Sequence, residues 1–237
     1  MKIKDIHSIE LTKDNTKQIT SNFNKGWQLV ETYCSDFLKL YRTGKTERLL
    51  FRGFKRTTSR PIIFGQSRDV RRVVPGSDKI KAKACDYFMT MNGVEALRGN
   101  SLFCNSDERH AAYWGTTYII FPINGFKYAY SMRYSGLPAN GYEYPFEADF
   151  YKFLADLESK PSIIHTDSYL LKKWSNKFMI DNEITTNHLE YAMNNNKDVW
   201  IKGKYIGFLA GYDDKESGLY YEQLLEDKID EMVQNGN

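Results

Sequence analysis

The stretch "TTYIIFP", Thr116 to Pro122, followed by "INGF" and "KYAYS", constrains this chain more than any other. Its first six residues are all β-branched or aromatic. Such side chains lose rotamer freedom in a helix and fit a pleated, half-buried surface. Asn124-Gly125 then supplies a hairpin-type turn into a second strand. A pair of strands is not stable alone, so the chain must offer further strands and a layer to bury them. "RLLFRGF", Arg48 to Phe54, and Ser101 to Cys104 read as strands, and "DVWIKGKYIGFLA" alternates apolar and polar residues around Gly203, as a second β-hairpin would.

Helical signals surround these strands. From Lys25 to Tyr41, Trp27, Val30, Cys34, Phe37, Leu38 and Tyr41 recur at spacings of three and four, which predicts an amphipathic helix stopped near Gly44. Helices are expected over Asp78–Met91, from a cap at Ser106 or Asp107 to Tyr113, and over Glu147–Leu157 and His188–Met193. A longer one spans Leu219–Val233, with Leu224, Leu225, Ile229, Met232 and Val233 on its apolar side. Tyr169–Phe178 fits a strand or a helix, and "RTTSRP" and "VVPGSD" carry turn chemistry that predicts a long loop. The reading is one α+β domain over residues 1–237, with a helical lead-in (1–46), a core (47–210) and an acidic C-terminal helix (211–237).

At 237 residues and 41% hydrophobic content, the chain can build a sizeable core. No run approaches the length of a membrane span, and "MKIKDIHSIE" lacks the apolar region of an export signal, so a cytoplasmic protein with no membrane association is expected. Cys34, Cys85 and Cys104 are odd in number and widely spaced, which predicts reduced thiols in a core. A net charge of +3 hides an asymmetry. Arg52 to Lys83 carries ten basic side chains against Asp69 and Asp78, whereas Asp213 to Glu231 carries eight acids against Lys215 and Lys228.

Gly-rich phosphate loops, nucleophile elbows and paired cysteines are absent, and His165-x-Asp167 and His188-x-Glu190 have a spacing common among surface residues, so no metal site is expected. "LLFRGFKR" carries more information. It sets Arg52 and Gly53 at the end of an apolar run, which suits either an edge charge facing water or an anion anchor beside a close backbone approach.

The order of "FRG", "SLFCNSDERHAAYWG", "YIIFP" and "KYAYS", and the late "NNNKDVWIKGKYIGF", resembles the ADP-ribosyltransferase fold, in particular its arginine–serine–glutamate branch and phage-encoded proteins of similar length. The resemblance spans about Leu49 to Phe208. It implies two small antiparallel sheets around a cleft for NAD, with flanking helices. The implied activity is cleavage of the nicotinamide–ribose bond and transfer of ADP-ribose to a host protein or nucleic acid, in the bacterial cytoplasm if the chain is of phage or mobile-element type.

Carried onto this sequence, the resemblance makes Arg52 and Gly53 holders of the pyrophosphate. Ser106 becomes the hydroxyl that orients ribose or carboxylate, and Asp198 the acid that stabilises the ribose cation. Tyr113 and Trp114 offer a face for nicotinamide, and Arg68, Arg71 and Arg72 would cover the cofactor or grip the target. The family's glutamate is replaced by the shorter Asp198, about 1.5 Å less in reach, which leaves Glu190 as another candidate acid. A non-catalytic protein on the same fold, binding nucleic acid or an acidic host protein through the basic segment, is the alternative.

Overall fold

The structure is a computed structural model and describes residues 16–55, 60–68, 79–133, 148–159, 168–210 and 217–236. In chain order these form α1 (Thr16–Tyr33), α2 (Ser35–Arg42), β1 (Phe51–Phe54), β2 (Ile62–Gln66), α3 (Lys79–Met91), β3 (Leu102–Cys104), α4 (Glu108–Ala112) and β4 (Thr116–Pro122). They continue with β5 (Lys127–Ser131), α5 (Ala148–Ser159), α6 (Ser168–Asp181), β6 (Ile184–Thr185), α7 (Leu189–Asn194), β7 (Val199–Lys202), β8 (Lys204–Leu209) and α8 (Ser217–Gly236). The strands build two four-stranded antiparallel sheets, one in the order β1-β4-β8-β2 and the other β3-β7-β5-β6. The expected α+β class with two small antiparallel sheets is therefore present.

Neither expected hairpin forms. β4 pairs with β1 and β8, while β5 pairs with β6 and β7; β7 lies in the second sheet and β8 in the first. Alternation identifies a strand and Gly a tight turn, but the partner is chosen by distant chain. Each tight link instead carries the chain from one sheet to the other. Gly203 has φ +138°, open to glycine and strained for other residues, and a Cβ there would press on Phe126. The Ile123 amide donates to the Lys204 carbonyl at 2.9 Å, so the two links lie against each other and the ribbon β4/β8 turns a corner into β5/β7.

The long helix expected over Lys25–Tyr41 is broken at Cys34. Asn124 fills the break, its amide donating to the Tyr33 carbonyl at 2.7 Å and its side-chain oxygen accepting from the Asp36 amide at 2.9 Å. The predicted long loop after Phe54 contains the strand β2, whose "IIFG" pairs with β8. Tyr169–Phe178 is helical within α6, where Leu171, Trp174 and Phe178 fall at helical spacing and are buried.

Two hydrophobic clusters result. In the first, α1, α2 and α8 cover the outer face of the β1-β4-β8-β2 sheet, with Phe121 edge-on to Trp27, Phe37 and Phe208. The second sets Phe88 of α3 against Phe150, Phe153 and Phe178, below Trp200 and Ala129 of the other sheet. All three cysteines are buried and free. Among the described residues no helix is long and apolar enough to cross a membrane.

Gly53 shows how closely α4 lies on β1. A Cβ at this position would overlap the Ala111 carbonyl oxygen and stand 3.0 Å from the Trp114 Cβ. Gly53→Ala is therefore expected to push α4 outward and to cost about 1–3 kcal/mol, the scale of overpacking. Thermal and denaturant melts check this; an unchanged midpoint would mean that α4 is not seated as described.

Candidate functional site

The two sheets meet at a single point in the described backbone outside the corner links. Phe51 and Asn105 exchange N–H···O bonds of 2.7 and 3.0 Å, forming an isolated antiparallel bridge. Arg52 follows Phe51 and Ser106 follows Asn105. On the far side of β3, Cys104 pairs with Val199, so Asp198 arrives at the same junction. Three residues scattered through the sequence thus share one corner, set there by three strands.

Arg52 is half-buried rather than an exposed edge charge. Its Nη1 donates to the Phe103 carbonyl at 3.0 Å, and its guanidinium lies 5.9 Å from the Phe54 ring centre. Burial holds its pKa below the usual arginine value, an effect opposed by Cys104, Tyr205 and Asp198. Its Nε is buried with no hydrogen-bond partner among the described residues. A buried donor left unpaired is costly, and a ligand acceptor there would remove the cost.

Asp198 is 8% exposed. Its Oδ1 accepts from Asn105 Nδ2 at 2.7 Å and lies 3.5 Å from His110 Nε2. Asn105 is itself buried and fully engaged: Nδ2 also reaches the Asn196 carbonyl at 3.2 Å, and Oδ1 accepts from the Asp107 amide at 2.7 Å. Asp107, not Ser106, is the N-cap of α4, accepting from the Arg109 and His110 amides at 2.9 and 3.4 Å. Capping therefore does not account for Ser106. The residue is 6% exposed, and its buried Oγ has no partner among the described residues.

The other sequence candidates separate. The close approach that Gly53 permits is that of α4, which accounts for this glycine without a ligand. Tyr113 is 89% exposed and Trp114 is at the margin of exposure, so neither is walled into a pocket by the described residues. Arg68 is exposed beyond β2 and near enough to Tyr205 to draw its pKa down against the burial that raises it to about 12. Arg71, Arg72, His165 and Asp167 lie outside the described residues. Glu190 pairs with His188 at 3.3 Å and Lys45 at 3.9 Å, partners that Asp198 does not share. Burial raises the Cys104 thiol to about 12, with Arg52 opposing and Asp198 adding, which favours the protonated thiol.

No protein-family model, no curated protein and no solved structure matches this chain. The site rests on its own geometry.

Ser106 also lines a groove of about 630 Å³ between the start of α4 and α8. Glu47, Asp107, Glu108, Glu222, Glu226 and Asp230 face Arg48 and Arg109 across it, an acidic excess that disfavours entry of a phosphate-bearing ligand from this side. Arg52 and Asp198 do not line this groove. Sequence reasoning passed over Asn105 and His110. The available signal was "NSD", a polar run able to turn and cap, which fixes the position of His110 three residues after the cap.

Proposed function

We propose that this protein binds NAD at the junction of its two sheets, cleaves the nicotinamide–ribose bond and transfers ADP-ribose to a host protein or nucleic acid. One observation carries the reading. Arg52, Ser106 and Asp198, the three positions singled out by their order in the sequence, come together in space, and two of them present buried donors with no partner among the described residues.

Arg52 supplies a positive charge and a buried, unpartnered Nε donor for one phosphate of the pyrophosphate. Ser106 Oγ offers a short, fixed hydrogen bond to a ribose hydroxyl. Departure of nicotinamide leaves positive charge on the ribose, which the Asp198 carboxylate stabilises from a position fixed by Asn105. Asn105 thus gives the shorter acid a defined orientation.

Arg52→Ala tests this binding mode. A charge-assisted bond to phosphate is worth about 1.5–3 kcal/mol, so affinity for NAD should fall roughly 10- to 150-fold with folding retained. Calorimetric titration of both proteins with NAD reads the effect. Equal affinity would remove Arg52 from the site, and a collapsed melting temperature would make it a structural ion instead.

A further inference from the structure

Within the reading of NAD cleavage, we infer that His110 is the base that takes the proton from the incoming acceptor, with Asp198 steadying the imidazolium that forms. The inference starts from how differently the two groups are placed. Asp198 is buried and already held by Asn105 at 2.7 Å, so it needs no second partner for its position. His110 has a side chain 43% exposed, yet its Nε2 stands 3.5 Å from Asp198 Oδ1. The ring therefore stands beside a buried acid while remaining partly open to solvent.

An Nε2–H directed at Asp198 leaves Nδ1 as the basic nitrogen. Nδ1 has no hydrogen-bond partner among the described residues. The ring is held near the acid by the backbone, because the Asp107 cap accepts from the His110 amide and Ala111, the next residue, packs on Gly53. Of the two histidines in the described residues, His188 is different: it pairs with Glu190 at the surface.

The step balances as follows. The acceptor's O–H or N–H atom forms a bond to the ribose C1, and the C1–N bond to nicotinamide breaks. The electron pair of that bond leaves on the ring nitrogen, so nicotinamide departs neutral. The acceptor's proton moves to His110 Nδ1, giving an imidazolium paired with Asp198, and is then lost to solvent.

Water and azide, two small nucleophiles, test the role. Water must lose a proton on attack; azide has none to lose. The full-length protein, His110→Ala and His110→Gln are incubated with NAD, and ADP-ribose, ADP-ribosyl azide and nicotinamide are measured. Gln retains a donor toward Asp198 and lacks a base, so it separates loss of the base from loss of structure. For both variants we expect hydrolysis to fall about 10²-fold or more. The azide product should stay within about threefold of wild type and added imidazole should restore hydrolysis to the Ala variant, both on the premise that only the proton acceptor has been removed. Unchanged hydrolysis in His110→Gln, or an equal loss with azide, would overturn the assignment. Absence of nicotinamide release from wild type with water, azide and bacterial lysate alike would overturn the NAD-cleavage reading itself, before any variant is compared.

Discussion

Asp198→Asn is expected to leave NAD affinity within a few-fold of wild type and to slow nicotinamide release by about 10²–10³-fold, the usual scale for deleting one preorganised electrostatic partner. Asn keeps the size of Asp and an oxygen able to accept from Asn105, so the local geometry should survive while the charge is lost. Titration measures binding and single-turnover release of nicotinamide measures chemistry; the two should separate. If Asp198→Asn turns over as fast as an active wild type, Asp198 is not the acid. Glu190 then becomes the next candidate, although its partners Lys45 and His188 place it in a different cluster.

Phe121→Ala should produce the largest loss of stability, about 3–5 kcal/mol, as expected for removing a fully buried aromatic ring. Phe121 is 0% exposed and touches rings from α1, α2 and β8 at centroid distances of 5.8, 6.0 and 5.8 Å, so one substitution opens a cavity shared by three elements. At roughly 2–4 °C per kcal/mol for a chain of this size, the melting temperature should fall by about 6–20 °C. A loss below about 1 kcal/mol would mean that α1 and α2 are not seated on the sheet. The same melt on Phe88→Ala would probe the second cluster, whose rings come from α3, α5 and α6.

Much of the fold was legible because the strongest signals are local. The β4 run, the α3 and α8 periodicities and the short α4 between a cap and a glycine all follow from side-chain preference within a few residues. Pairing was not legible. "INGF" and Gly203 carry turn chemistry suited to hairpins, yet each moves the chain to another sheet, where β4 is buried along its whole length and β7 along most of it. The break at Cys34 has a similar origin: Asn124, ninety residues away by sequence, supplies the bonds that replace the helical ones.

The site divides along the same line. Arg52, Ser106 and Asp198 are the positions that the resemblance picks out by residue type and order, while their neighbours required the fold. Nothing in "CNSDERH" shows that Asn105 would reach Asp198 or that His110 would face it, since both contacts cross from the β3–α4 segment to the start of β7. The structure also changes the meaning of two residues. Gly53 makes room for α4, and Ser106, relieved of capping by Asp107, is left with a buried hydroxyl lacking a partner among the described residues.

Incubation of the purified full-length protein with NAD labelled in the adenine, together with bacterial lysate treated or not with nuclease, tests the central claim most directly. The account predicts free nicotinamide together with label on a macromolecule. Nuclease then tells nucleic acid from protein, and the Asp198→Asn control should lose both signals about 10²-fold or more. Wild-type protein that releases no nicotinamide and leaves all the label on intact NAD would contradict it.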